Sequence, residues 1–492
     1  MTTIREDREG RSPVAGDRES RDRRTDGREK RTDGNATRPR GSLEEDLGPA
    51  LDRRRFLGVA GAGAGAMALG GLPGASGSGS GEKRIQPGPE GGPAVVQTRS
   101  PEVLIVGAGA FGAWTALYLQ RRGVQVTLVD QHGPANSRAT SGGETRGVRT
   151  SYGDREHGPI WTRWAAESIR RWKAWDDEVS GAGAAPLFYI TGDLILRPEA
   201  EPYLRRTTSQ WDDLAIPYEW LEMDEVRRRW PIIGTDEMTL ALYEPGAGVV
   251  RARRAMETVT QAFQRAGGEI RVARVMPGEV SGGRLQGVVT DEGEGLTADT
   301  YVFACGPWLP KVLPGVMADR LRVPMGHIYY FGPPPGDHRF EFPNMPSFGI
   351  PGSTGWPALP PDFRGFRVRT GGRPPEDPDL SSRAEISPES FQRIREYMAR
   401  WFPVLADQPI LETRACHYES STDRNFIVDV HPEWENAWIT GGGSAEAFKQ
   451  GPLLGDYIAH RLVGMDLDPE ATPGFRLDDD VFTDEERREL EP

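Results

Sequence analysis

Cysteine is almost absent: Cys305 and Cys416 are the only two in 492 residues. Two thiols cannot build a disulfide framework, nor the thiolate-rich sites that hold structural zinc or an iron–sulfur cluster. Histidine is scarce too. The seven present form no His-Glu-x-x-His or comparable pairing, so no metal is expected. There is no basic stripe interleaved with aromatics, and the formal net charge is −13, which together argue against nucleic acid as a partner. Long apolar runs are missing as well. Gly58 to Leu72 could be read as a membrane-spanning helix, but it is too short and too rich in glycine to hold a bilayer well.

That run makes better sense as the middle of an export signal. Arg53-Arg54-Arg55-Phe56-Leu57 stands before it, and the small residues Pro73-Gly74-Ala75-Ser76 follow it, suited to cleavage. Residues 51–76 therefore read as a twin-arginine signal peptide. The translocon of that pathway is an expected partner, and the periplasm or the cell exterior the expected location. Such export carries proteins already folded, often with a cofactor loaded. Residues 1–50, rich in Arg, Asp, Gly and Ser without apolar periodicity, read as a disordered extension, and 77–100 as a Gly- and Pro-rich linker. The acidic tail, 479–492, reads as a solvated end.

The folded body opens on Val103-Leu104-Ile105-Val106-Gly107-Ala108-Gly109-Ala110-Phe111-Gly112, followed by a helical run and then Val126-Thr127-Leu128-Val129-Asp130. An apolar strand runs into a Gly-x-Gly-x-x-Gly turn, a helix follows, and a second strand ends in a carboxylate. Gly107 permits the tight turn, Gly109 lets backbone approach a pyrophosphate, and Gly112 lets helix and strand pack closely. The helix N-terminus offers free N–H groups and a positive dipole end to phosphates. Asp130 stands where an acid can hold the ribose hydroxyls of an adenine dinucleotide, so the chain is expected to bind FAD or NAD.

Further segments extend this α/β pattern. Ile160, Trp161, Trp164, Ile169 and Trp172 mark a long amphipathic helix, the tryptophans being core, and Leu187 to Leu196 switches to strand periodicity. Ala255 to Ala266 reads as a helix, and Ile270 to Val272 and Gly287 to Val289 as strands. Thr300 to Phe303 is a strand ending in Ala304-Cys305-Gly306, which brings Gly306 close to the cofactor; Cys305 is a small buried residue there. Val323 to Arg369 looks mainly β, and Ser387 to Phe402 helical. A strand at Ala437 to Thr440 leads into Gly441-Gly442-Gly443 and a last helix from about Pro452 to Leu462. That glycine run repeats the opening logic and would set backbone amides against the other end of the cofactor.

Together these residues resemble the D-amino-acid oxidase superfamily, in particular its branch of monomeric sarcosine oxidases and N-methyl amino acid oxidases. The most specific pieces are Ser141-Gly142-Gly143-Glu144-Thr145-Arg146 with Arg149 and Tyr152, then Ala415-Cys416-His417-Tyr418, then Asn425 to Pro432, and the loop from Gly441 through Ser444 to Lys449. The resemblance implies an α/β fold of the GR2 flavoprotein type. A Rossmann-like FAD-binding domain would be assembled from 101–186, 245–315 and 425–478. An inserted, mainly antiparallel β substrate domain would come from 187–244 and 316–424.

The resemblance also implies site roles. Arg149 and Lys449 match two cations that clamp a substrate carboxylate, and Arg146 matches a cation near the flavin ring. Cys416 matches the cysteine joined covalently to the flavin, and Tyr418 a tyrosine lining the pocket. Ser141, Thr145, Gly442, Gly443 and Ser444 fall in cofactor-binding motifs. Where the family carries a lysine that activates dioxygen, this chain has Arg367, whose guanidinium is planar and hardly gives up a proton. Gly142 replaces a histidine, and Ala445-Glu446-Ala447 replaces a Gly-His-Gly turn. Both changes point to an altered pocket and a substrate other than sarcosine.

The expected activity is oxidation of a C–N bond in a secondary, N-methylated or cyclic amino acid, with dioxygen or another electron acceptor and with hydrolysis of the imine. A monomer or an oligomer of unspecified order is expected. Three alternatives stay open: an FAD dehydrogenase using a non-oxygen acceptor, an NAD-dependent dehydrogenase, and a non-catalytic exported flavoprotein.

Overall fold

Alternate residues of the opening strand, Val103–Val106, face two different cores. Val103 and Ile105 pack with Phe111, Trp114 and Leu117, whereas Leu104 and Val106 pack with Tyr301, Phe303 and Leu309. A strand covered on both faces needs an unbroken apolar run, which is what the sequence supplies there. The computed structural model describes residues 102–483 apart from 182, 200, 374–376 and 382–385, together with residue 486. The twin-arginine segment, the extension ahead of it and the linker lie outside the described residues.

Val103–Val106 is near the middle of a six-stranded sheet. Its order is Glu269–Val272, Val126–Asp130, Val103–Val106, Thr300–Phe303, Ala437–Gly441 and Ile427–Val430. The first five are parallel and the last is antiparallel to its neighbour. Helices Ala110–Arg121, Ala252–Arg265 and Ala447–Leu462 supply one of the two cores, with the long helix Gly158–Val179 packed outside them. Trp161, Trp164 and Trp172 of that long helix are fully enclosed, as core tryptophans should be. On the other face a small antiparallel sheet of Val275–Pro277, Val288–Thr290 and Gly295–Leu296 covers Leu104 and Val106. The Val288 strand thus belongs to this cover and not to the main sheet.

The last helix begins at Ala447, five positions before the expected Pro452, which lies inside it. A proline within a helix forgoes one backbone bond but need not end it when neighbouring elements hold the turn. Here Arg171 reaches the Pro452 carbonyl at 3.4 Å, and the first turns of the helix are buried. The earlier start puts Glu446 at the N-cap and Lys449 one turn further on.

A second, eight-stranded sheet runs in the order Ile410–His417, Met325–Phe331, Phe366–Arg373, Ser353–Trp356, Ser347–Ile350, Asp193–Arg197, Leu240–Glu244 and Glu219–Leu221. Neighbours are antiparallel except Ser347–Ile350 beside Asp193–Arg197. Side chains alternate between its faces. Phe366 and Val368 enter a core with Ile394, Met398 and Trp401 of helix Pro388–Trp401, while Arg367 and Arg369 turn the other way. Likewise Leu194 and Leu196 enter that core, and Asp193, Ile195 and Arg197 face away from it. The polar face of this sheet and the C-terminal ends of the parallel strands enclose one cleft.

Candidate active site

The cleft has a volume of about 610 Å³ and begins at the glycine turn. Gly107 has φ of +107°, and a Cβ there would lie 2.3 Å from the carbonyl oxygen of Ala304. A Cβ on Gly112 would lie 1.9 Å from the Gly107 carbonyl oxygen, so the helix can meet the turn only without a side chain at this position. Ser141 Oγ accepts the Ala110 N–H at 2.9 Å, joining the distant Ser141 motif to the helix start. Asp130 ends the second strand. Its Oδ2 accepts the Ala108 N–H and its Oδ1 the His132 N–H, each at 2.8 Å. Burial raises its carboxyl, and these amides work against that rise.

Gly306 and Gly443 line the middle of the cleft, together with a residue that sequence reasoning missed, Glu419. It is 4% exposed, accepts the Gly443 N–H at 3.1 Å, and is pushed up to about 7 by burial. Its position directly after Tyr418 was the available signal. Four expected cofactor contacts do not line the cleft: Gly112, Thr145, Gly442 and Ser444. They stand behind its wall, each shaping a residue that does line it. Thr145 Oγ1 accepts the Trp356 indole N–H at 2.8 Å. Gly442, at φ +65°, turns the chain toward Gly443, and the Ser444 N–H donates to the Glu419 carbonyl at 2.8 Å.

Further along, arginines gather around Cys416. Burial alone would raise its thiol, but Arg146, Arg369, Arg367 and Arg414 outweigh burial and hold it below the ordinary value. Arg146 Nη2 lies 3.7 Å from the sulfur. Arg367 is 2% exposed and stacks on Trp356, its guanidinium carbon 3.6 Å from the ring centroid. Its Nε and Nη1 are buried with no hydrogen-bond partner among the described residues, and burial lowers its pKa to about 9. Tyr418 lies under Arg369, 5.3 Å from guanidinium carbon to ring centroid.

Another part of the cleft is a network of buried and half-buried charges. Arg149 Nη1 donates to the Ser151 carbonyl at 2.9 Å and to its hydroxyl at 2.8 Å. Lys449 is paired with Glu446, which also accepts the Tyr152 hydroxyl at 2.6 Å and faces Arg155 at 3.3 Å. Burial would raise the Glu446 carboxyl, but Lys449, Arg155 and Arg149 hold it well below the usual carboxylate range. Burial pushes the Lys449 ammonium down, against the pull of Glu446. Asp193 lines the same cleft. Fold formation therefore brings together Arg149, Lys449, Arg367, Tyr418, Arg146 and Cys416, and adds Glu446, Tyr152 and Asp193 beside them.

A glycine turn on a parallel strand, an acid closing the next strand and unpartnered guanidinium nitrogens deeper in the cleft fit an elongated dinucleotide with hydrogen-bond acceptors at its far end. Such a fold and site define a flavin-dependent oxidoreductase. The family model described as FAD dependent oxidoreductase (DAO) matches residues 102–461, and the chain belongs to that family. It is 26% identical to monomeric sarcosine oxidase of Bacillus sp. (strain B-0618) over 365 residues, covering 73% of this chain and 91% of the relative. It is 27% identical to N-methyl-L-tryptophan oxidase of Salmonella enteritidis PT4 (strain P125109) over 391 residues, covering 76% and 98%. Among solved structures, fructosyl peptide oxidase (a thermally stable mutant) superposes with a TM-score of 0.69 at 20% identity, covering 80% of this chain and 96% of that one. L-proline dehydrogenase from P. horikoshii gives 0.65 at 19%, covering 77% and 99%. These two likenesses show the fold.

Proposed function

We propose that the protein is an exported amine oxidoreductase that oxidises the C–N bond of a secondary, N-methylated or cyclic amino acid. The observation that carries the reading is the pair of cations, half-buried Arg149 and buried Lys449, lining the cleft that begins at the glycine turn. Bound FAD supplies the acceptor for a hydride from the carbon next to the substrate nitrogen. Arg149 and Lys449 bind the substrate carboxylate by charge-assisted hydrogen bonds and so fix which C–H is presented. Tyr152 and Arg155 hold Glu446, and Glu446 in turn holds the proton on Lys449. Arg146, Arg367 and Arg369 keep positive charge in the part of the cleft that must accommodate added negative charge. The substrate nitrogen gives up a proton to solvent so that its lone pair can form the imine as the hydride leaves, and water then hydrolyses the imine.

Cys416 is the proposed point of covalent flavin attachment. Its lowered thiol pKa supports this, because the thiolate is the reactive form. A covalent link would also suit an enzyme exported through Arg53-Arg54-Arg55, since lost FAD is not readily replaced outside the cytoplasm. Two relatives named oxidases favour dioxygen as acceptor. Arg367 favours a second reading, a dehydrogenase passing electrons elsewhere: its charge is spread over a guanidinium stacked on Trp356 instead of concentrated at one ammonium.

Anaerobic mixing of the holoenzyme with a panel of N-methyl, cyclic and primary amino acids tests the activity. Rapid bleaching of the visible flavin band is expected for one class, and admitting air then reads the acceptor. A flavin that no amino acid bleaches would overturn the proposal. Fractionation of cells carrying the native chain or an Arg53→Lys, Arg54→Lys, Arg55→Lys variant tests export, which the triple substitution should abolish.

A further inference from the structure

The charges around Arg149 and Lys449 are unevenly paired. Glu446 meets both Lys449 and Arg155. Arg197 is committed to Glu201 at 3.1 Å. Arg149 and Asp193, which line the same cavity, form no ion pair among the described residues. Asp193 is 5% exposed, at the head of a strand whose next residue, Leu194, is buried in the core behind the sheet. Its cross-strand neighbour Glu244 is tied back, accepting the Thr150 N–H at 3.0 Å and the Thr150 hydroxyl at 2.8 Å. Ser347, Tyr203 and Ile195 complete its side of the cavity.

A buried carboxylate without a counter-ion is costly, and a site that keeps one beside a cavity gains most from a ligand that brings a cation. Burial raises the Asp193 carboxyl, and Arg149 is the foremost of the cations opposing that rise, yet it stays beyond ion-pair distance. A guanidinium and a carboxylate on one cavity, each with polar neighbours (Ser151 and Ser347) but no ion-pair partner among the described residues, match the two charges of an amino-acid zwitterion.

We propose that Asp193 is a binding residue for the cationic nitrogen of the substrate, so that the cleft selects zwitterions over plain carboxylates of the same shape. The inference rests on the carboxylate-binding role given above to Arg149 and Lys449. It makes Asp193 a determinant of specificity: the carboxylate clamp alone would accept any small acid, and Asp193 adds the requirement for a positive nitrogen.

Trimethylglycine and 3,3-dimethylbutanoate test this directly. They have nearly the same shape, differing in a quaternary nitrogen against a quaternary carbon, and neither has an N–H or a lone pair to oxidise. Their dissociation constants are read from the perturbation of the flavin spectrum of the holoenzyme, without turnover. The wild type should bind trimethylglycine tighter by about tenfold or more, the scale of a contacting charge pair shielded from water. Asp193→Asn should abolish the preference while still binding 3,3-dimethylbutanoate at least as well. Asp193→Ser serves the same purpose should the first variant lose its flavin. Equal affinities in the wild type, or a preference that survives both substitutions, would overturn the role of Asp193 and leave the clamp standing. Binding of neither probe, or binding unaffected by Arg149→Ala, would overturn the clamp and the inference with it.

Discussion

Replacing Glu446 by Gln isolates what this carboxylate does for Lys449. The side chain keeps its shape and can still accept the Tyr152 hydroxyl, now 2.6 Å away, but its charge is gone. In the wild type burial pushes Lys449 down to about 8, and Glu446 is the largest effect holding it from falling further. Two charges about 4 Å apart at an effective dielectric of about 20 interact by about 4 kcal/mol, or up to about three pKa units at about 1.4 kcal/mol each. The variant's lysine should therefore titrate one to three units lower, roughly between pH 5 and pH 7. The sign of the consequence is definite. A carboxylate ligand needs the charged amine, so wild-type binding weakens as pH rises through about 8, and variant binding weakens earlier. On the acid side the variant should bind more tightly, because the ligand no longer faces the Glu446 charge.

The assay is a series of dissociation constants for 3,3-dimethylbutanoate, read on the flavin spectrum from about pH 6 to pH 9, where the probe stays ionised. A midpoint unmoved by the substitution, or a change in affinity equal at every pH, would refute the view that Glu446 holds the proton on Lys449.

Cys416→Ala should yield a protein whose flavin is released by acid precipitation; yellow colour retained in the pellet would exclude Cys416 as the attachment point. Arg367→Lys should speed reoxidation by dioxygen, by concentrating charge now spread over a stacked guanidinium, and leave anaerobic reduction by substrate unchanged. Equal reoxidation rates would show that acceptor choice lies elsewhere. Glu419 carries a carboxyl raised from 4.5 to about 7, so its contribution to wild-type stability is full below the lower value and is lost as pH rises to the upper one. The loss amounts to at most about 3.5 kcal/mol, from about 2.5 units at about 1.4 kcal/mol each. Glu419→Gln should then be more stable than the wild type at about pH 8 and no more stable at about pH 4, as denaturant unfolding would show; a pH-independent difference would refute the assignment.

Much of the nucleotide end was legible in the chain because its requirements are local. Gly107, Gly112 and Asp130 lie within one strand–turn–helix–strand unit, so backbone geometry dictates residue type at nearly fixed spacing. The cysteine and arginine positions were legible only through the resemblance to a family, since nothing local marks Arg149 or Lys449 as different from a surface cation. Asp193 and Glu419 stood in plain view as carboxylates within or beside apolar segments. Their significance depended on which way each side chain turned. The helix start at Ala447 was misjudged because proline is a local signal for ending a helix, whereas buried packing and Arg171 are distant.

By itself the sequence determined that this chain opens on a parallel strand–turn–helix–strand unit with a dinucleotide turn, and that it holds too few cysteines for a thiolate-rich metal site. Those properties follow from composition and from contacts between residues near one another in the chain. Only the tertiary structure decided that Glu446 neutralises Lys449, that Arg146, Arg367, Arg369 and Arg414 converge on one sulfur, and that Asp193 and Arg149 share a cavity without pairing. Most of these meetings join strands far apart in sequence, and charge at such a distance acts through space. Its effect exists only once burial has removed the water that would have screened it.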